Sequence, residues 1–270
     1  MQDEKNRVLV TGASRGMGRE TALYLARRGY RVFAATRRPE ELEELHERLI
    51  PCRVDLRDAA SVRELLEETG PVDVLVNNAG YGLVSTVEEA DDALMREQFE
   101  VNLFGLLRMC RETIPGMRER GGGVIVNISS FLGKIGLPLL TFYNASKYAV
   151  EGVTDSLRYE LRPFGIRVHS VMPGFFDTCF ARSNLVTNPV TFAEDSPYAS
   201  LVAHLAPQIV EQINNGDDPK EVARIVEELI EDPDAPARRA VGTKARYFIP
   251  MRRELEDEDF EERVRDYYGL

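Results

Sequence analysis

Arg7-Val8-Leu9-Val10-Thr11-Gly12-Ala13-Ser14-Arg15-Gly16-Met17-Gly18 is the stretch whose reading decides the fold. Its first five residues are a short apolar run of strand type, and a helical pattern through Ala22, Leu25 and Ala26 follows the glycines. A strand that meets a helix through a glycine-rich turn makes a cradle for phosphate, because the helix N-terminus offers free N–H groups to an anion. Gly12 permits the tight turn, Gly16 lets backbone approach a pyrophosphate, and Gly18 permits close helix–sheet packing. Ser14, Arg15 and Met17 ride on the same loop, so the whole turn is read as nucleotide-binding.

Outward from this turn, strands and helices alternate. Strand patterns lie near 7–11, 31–36, 51–55, 72–77, 123–129 and 166–172, and helical patterns near 16–28, 39–49, 59–69, 90–119 and 142–163. This order predicts an α/β fold: a doubly wound parallel sheet, Rossmann-like, with helices on both faces. Ligands of such sheets lie outside the carboxyl ends of the strands. Gly12 to Gly18, Arg37, Asp55, Asn78 to Gly80, Ser130 and Pro173-Gly174 all fall at those ends. Residues 1–270 are read as a single dinucleotide-binding catalytic domain, with a charge-rich tail near 252–268 forming a surface helix that turns Leu255, Phe260 and Val264 inward.

A second feature is chemical. In Tyr143-Asn144-Ala145-Ser146-Lys147 a phenol and an ammonium stand four positions apart, on one face if the segment is helical. A neighbouring cation favours phenolate, and a cationic cofactor ring adds to it, so Tyr143 is expected to have a lowered pKa and to donate a proton to a carbonyl.

The spacing Gly12-x-x-x-Gly16-x-Gly18 together with Tyr143-x-x-x-Lys147 resembles the short-chain dehydrogenase/reductase family, in its compact single-domain branch. Further matches are Asp55 in Val54-Asp55-Leu56, Asn77-Asn78-Ala79-Gly80, Asn102 in Val101-Asn102, Asn127-Ile128-Ser129-Ser130, and Pro173-Gly174 ending in Thr178. Ser130 lies 13 residues before Tyr143, the interval of the family's catalytic serine, and Ser129 is one residue off. The resemblance implies four catalytic residues: Ser130 polarises the substrate carbonyl, Tyr143 delivers the proton, Lys147 holds the cofactor ribose, and Asn102 orders a water linking Lys147 to solvent. It also implies that Asp55 and Leu56 flank adenine, that Asn78, Ala79 and Gly80 pass close to the cofactor, and that Pro173, Gly174, Phe176 and Thr178 border the nicotinamide. Segment 179–216 corresponds to the family's variable substrate-covering loop, and the helices near 90–119 and 142–163 imply a homo-oligomer, a dimer or tetramer.

Cofactor choice is read after the second strand. An acidic residue there receives the ribose hydroxyls of NAD, but this chain has Thr36-Arg37-Arg38, and Arg15 adds a cation from the glycine turn. NADP (NADPH) is therefore expected in preference to NAD, with Glu40 and Glu41 placed too late to accept the ribose. Phe131, Leu132, Leu137, Leu139, Phe175 and Phe180 suggest an apolar pocket, and the stretch from Tyr143 to Gly152 resembles members acting on steroids or retinoids, which implies a bulky hydrophobic ketone or secondary alcohol as substrate. The alternative is a nucleotide-binding sensor or scaffold without turnover.

Composition narrows the classes. Hydrophobic residues make up 43 % and charged residues 29 % of 270, and the net charge of −11 disfavours a nucleic-acid partner or an anionic membrane. Cys52, Cys110 and Cys179 are few and widely separated, so reduced thiols in a cytoplasmic protein are expected, without a metal site. No signal peptide or membrane span is expected in the sequence. The histidines are His46, His169 and His204, and without a Gly-x-Ser-x-Gly elbow acyl transfer is poorly supported.

Overall fold

Alternation along β1 (Arg7–Thr11) sorts its side chains to two faces, Val8 and Val10 into one apolar cluster and Leu9 into another. The computed structural model describes residues 6–42, 45–178, 180 and 184–270. β2 (Arg31–Thr36), β4 (Val74–Asn77) and β6 (Gly123–Ile128) continue the pattern. Val32, Ala34, Val76 and Val126 join the first face, and Phe33, Leu75 and Ile125 the second. A strand apolar on both faces must be covered on both, which is what a parallel sheet achieves with crossover helices.

The first face is covered by α1 (Gly16–Arg27) and α7 (Lys220–Glu231), through Ala22, Leu25, Val226 and Leu229. On the second lie α2 (Ala59–Thr69), α4 (Gly105–Glu119) and α5 (Thr141–Leu161), through Leu65, Met109 and Val150. With β3 (Leu49–Arg53), β7 (Ile166–Pro173) and β9 (Arg238–Val241), the described sheet has seven strands in the order β3-β2-β1-β4-β6-β7-β9, all parallel. Val10 lies opposite Ala34 on one side and Val76 on the other, so strand order reverses between β1 and β4. A crevice opens at that reversal, beyond the carboxyl ends of the strands. The doubly wound, Rossmann-like α/β fold expected from the alternation is the fold observed.

Several elements differ from expectation. The helical pattern over 39–49 is a 3₁₀ turn at Pro39–Leu42, and β3 begins at Leu49, not 51. Leu42 is the one buried residue of that turn, too little apolar surface to dock a helix, and Val32 pairs with Leu49 to claim the later residues for the sheet. Glu43 and Glu44 lie outside the described residues. The pattern over 90–119 divides into α3 (Asp92–Phe99), a π turn at Glu100–Phe104 and α4. The tail near 252–268 divides at a half-buried Leu255, between α8 (Thr243–Glu254) and α9 (Asp257–Tyr268).

The sequence patterns did not mark β5 (Gly82–Val84), β8 (Leu185–Thr187) or β9. β5 and β8 pair as a separate parallel ribbon, which brings the chain after 184 across to the loop that follows β4. A third apolar cluster joins α6 (Ala199–Asn214), α8 and α9 through Leu205, Ile209, Phe248, Phe260 and Tyr268. Cys52 and Cys110 are buried free thiols, and Cys179 lies outside the described residues. Among the described residues no helix is long and apolar enough to cross a membrane, and no group of three or more His, Cys, Asp or Glu is placed to hold a metal ion.

Candidate active site

The glycine turn is built by close approach. Gly12 and Gly16 have φ of +66° and +54°, a region L side chains rarely adopt. A Cβ on Gly18 would lie 2.2 Å from Asn78 Nδ2 and 2.4 Å from the Gly12 carbonyl oxygen, so its tight neighbour is the turn after β4. Asn78 Nδ2 donates to the carbonyls of Thr11 (3.0 Å) and Gly12 (3.3 Å). Thr11 Oγ1 accepts from the N–H groups of Asn78 (3.1 Å) and Ala79 (3.2 Å). α1 has no side-chain cap. Its first residues, Gly16, Met17 and Gly18, line a cavity of about 410 Å³, where uncapped N–H groups suit an anion.

That cavity also takes in Gly12, Ser14, Arg15, Arg37, Arg38, Asp55, Leu56, Asn78, Ala79 and Gly80, together with Tyr143, Lys147 and Thr178. Its volume lies in the range of ordinary ligand clefts, and its uncapped helix end and four guanidiniums, of Arg15, Arg37, Arg38 and Arg57, fit a phosphorylated dinucleotide. Asp55, two residues past β3, is clasped by Arg57, whose Nη2 lies 2.6 Å from Asp55 Oδ2. Hydrogen bonding from Arg57 holds the Asp55 carboxyl below the usual carboxylate range. Arg57 Nη1 also reaches Glu97 Oε1 at 3.0 Å, so it spans the cavity edge; nothing in the residue pattern singled it out.

α5 carries Tyr143 and Lys147 one turn apart, with Lys147 Nζ 5.8 Å from the Tyr143 ring centroid. Lys147 is buried and its Nζ donates to the Ile128 carbonyl at 2.8 Å. Burial lowers it to about 8, opposed by the Glu151 carboxylate. Burial pushes Tyr143 up to about 12, and the Ser130 hydroxyl, which favours phenolate, opposes it only in part. The acidic phenol expected from the pairing is thus not produced by the protein's own groups. Loss of hydration penalises phenolate more than the surrounding dipoles favour it.

Ser130 follows β6 and is buried; its Oγ also accepts from Leu132 N–H at 3.1 Å, in a short turn at Phe131–Gly133. Asn102 is the buried residue of the π turn. Its amide is clasped by Tyr81, accepting from Tyr81 N–H (3.0 Å) and donating to Tyr81 O (2.9 Å) and Ser146 Oγ (3.1 Å). A Cβ on Gly80 would lie 3.1 Å from Asn102 Oδ1 and 3.7 Å from Lys147 Nζ, so a side chain at that position would crowd both residues.

A second, small cavity of about 50 Å³ adjoins Ser130 and Tyr143. Pro173, Gly174, Phe176 and Thr178 line it, with Phe131, Leu132, Phe175 and Phe180 as expected. Leu137 and Leu139 do not line it: both are packed in the third core cluster. Leu140, Leu185, Ile209 and Ile213 do, the last two from α6, where only tertiary packing shows which apolar face meets the site. The stretch 184–198 is fastened by a polar network: Asn188 Nδ2 donates to Ser85 Oγ (3.0 Å) and Glu89 O (2.9 Å), and Ser196 Oγ to Glu89 Oε1 (2.6 Å). Of the expected substrate-covering segment, 179 and 181–183 lie outside the described residues.

Comparison with known proteins agrees with this geometry. A family model described as short chain dehydrogenase matches residues 6–188. The 3-ketodihydrosphingosine reductase of Bacteroides thetaiotaomicron is 34 % identical over 268 residues, covering 97 % of this chain and 98 % of the relative. The crystal structure of a short-chain dehydrogenase from Streptomyces avermitilis is similar at a TM-score of 0.80 and 33 % identity, over 97 % of each chain. A short chain dehydrogenase from Burkholderia cenocepacia, solved in complex with NADP, is similar at a TM-score of 0.77 and 27 % identity, over 100 % of each chain.

Proposed function

The chain belongs to the short-chain dehydrogenase/reductase family of oxidoreductases, and from that premise we propose that it is an NADP-dependent enzyme interconverting a hydrophobic ketone and its secondary alcohol. One observation carries the reading: Tyr143, one turn from Lys147, lines both the large cavity and the small apolar one, where Ser130 joins it. NADPH, when bound, supplies the hydride. Gly16, Gly18 and the uncapped N–H groups of α1 would hold its pyrophosphate, with Gly12, Ser14 and Met17 completing the turn. Arg15, Arg37 and Arg38 would hold the 2′-phosphate, Asp55 and Leu56 the adenine, and Lys147 the ribose. Asn78, Ala79 and Gly80 let the cofactor pass close to backbone, while Pro173, Gly174, Phe176 and Thr178 flank the nicotinamide side.

The protein's own groups then handle the proton. A phenol pushed up to about 12 is protonated at neutral pH, so Tyr143 is an acid in the reductive direction, and Ser130 Oγ donates a hydrogen bond to the same substrate oxygen. Lys147, still mostly ammonium below about 8, offsets the negative charge left on Tyr143, and Asn102, held by Tyr81, would order a water between Lys147 and solvent. The apolar lining of the small cavity supports a hydrophobic substrate, and a steroid- or retinoid-sized one would extend beyond its volume of about 50 Å³. Phe104, Tyr148 and Tyr159 stand exposed at 47 %, 46 % and 82 %, which supports a homodimer or tetramer contact along the π turn and α5 of a cytoplasmic enzyme.

The reading is tested with purified protein, NADPH or NADH, and a panel of hydrophobic ketones, following binding by nicotinamide fluorescence and turnover by absorbance. Tighter binding and faster oxidation of NADPH are expected. Equal use of both cofactors removes the NADP assignment, and binding without oxidation for any ketone points to a sensor.

A further inference from the structure

We propose that Glu41 is an internal stand-in for the cofactor's 2′-phosphate, and that its carboxylate sets how firmly NADPH, but not NADH, is held. The inference rests on the NADP reading above and concerns a residue that the residue order alone leaves outside the site. A single oxygen, Glu41 Oε1, accepts a hydrogen bond from Arg15 Nη2 at 3.0 Å and lies 3.0 Å from Arg38 Nη1. Arg15 comes from the glycine turn and Arg38 from the end of β2, and both line the large cavity. Arg37 lines the same cavity, where its charge acts on the Asp55 carboxylate. Glu41 cannot drift far: its N–H donates to the Arg38 carbonyl at 3.2 Å, and the next residue, Leu42, is wholly buried.

The consequence is competition. A phosphate dianion binds guanidinium bidentately and carries more charge than a carboxylate, so it takes over Arg15 and Arg38 while Arg37 adds a third contact. The Glu41 charge, tethered by Leu42, then stays close to the phosphate and repels it. It thereby weakens retention of the phosphorylated cofactor and re-forms the ion pairs as that cofactor leaves. NADH brings no group that displaces the carboxylate, so its affinity is indifferent to Glu41.

The test is equilibrium titration of the full chain, as wild type, Glu41→Gln and Glu40→Gln, with NADPH, NADH and adenosine 2′,5′-bisphosphate. Glu40 serves as control because its partner is Arg53, at 3.8 Å. Glu41→Gln is expected to bind NADPH and the bisphosphate roughly five- to ten-fold tighter at low salt, with the gain shrinking as salt rises. NADH affinity is expected to stay within about two-fold, since the charge acts on the missing phosphate. Unchanged or weaker NADPH binding in Glu41→Gln, with wild type still preferring NADPH, overturns the inference and leaves the cofactor reading standing. A wild type that prefers NADH overturns both.

Discussion

Burial controls both partners of the Tyr143–Lys147 pair, lifting the phenol to about 12 and lowering the ammonium to about 8. At neutral pH one therefore carries the transferable proton and the other a positive charge. Tyr143→Phe removes the proton and is expected to cut kcat by about 10³-fold while NADPH affinity, measured by fluorescence, changes little. Lys147 also leaves a mark on stability. Its folded pKa lies below the usual 10.5, so from about pH 8 to 10.5 the unfolded chain binds more protons and stability rises with pH. Tyr143, raised above 10, acts oppositely, but only once the pH passes its unfolded value of 10.0. Denaturant midpoints taken between about pH 7.5 and pH 9.5 should rise in wild type relative to Lys147→Met; parallel curves would mean that the ammonium is not buried.

At the scale of elements, the glycine turn and α5 make opposite predictions for one kind of change. Gly18→Ala drives a Cβ to 2.2 Å from Asn78 Nδ2 and 2.4 Å from the Gly12 carbonyl, so it should cost about 1–3 kcal/mol and abolish NADPH binding. Gly152 lies inside α5, exposed, with nothing within 4 Å of an added Cβ. Gly152→Ala should raise stability by about 0.5–1 kcal/mol in a thermal or denaturant melt. The long elements were legible because an apolar face repeats along them: β1, α1 and α5 lie within two residues of their sequence patterns. The shorter ones were not. Charges and leucines over 39–49 mimic an amphipathic helix, but among the described residues Leu42 alone is buried before Leu49 pairs with β2, a choice made by sheet pairing. Three-residue strands such as β5 and β8 carry too few side chains to show a period.

Across the whole molecule, residues far apart in the chain meet at one crevice because strand order reverses between β1 and β4. The candidate site was legible to the extent that its chemistry sits at strand ends; Arg57, Glu41, Ile209 and Ile213 were hidden because only tertiary packing brings them to the cavity walls or to the arginines behind them. Self-association belongs to this scale too. Sedimentation should show a dimer or tetramer, and Tyr159→Glu, placing a charge at a side chain 82 % exposed, should shift it toward monomer; a wild type that sediments only as monomer contradicts the proposed contact. The central claim is that Tyr143, Ser130 and Lys147 oversee hydride transfer from NADPH to a ketone carbon. Its most direct test uses NADPH carrying deuterium at both hydrogens of the nicotinamide C4, with a hydrophobic ketone and mass analysis of the alcohol. The account predicts one deuterium on the carbinol carbon with wild type and almost no product with Tyr143→Phe; an alcohol formed without label, or equal product from both proteins, contradicts it.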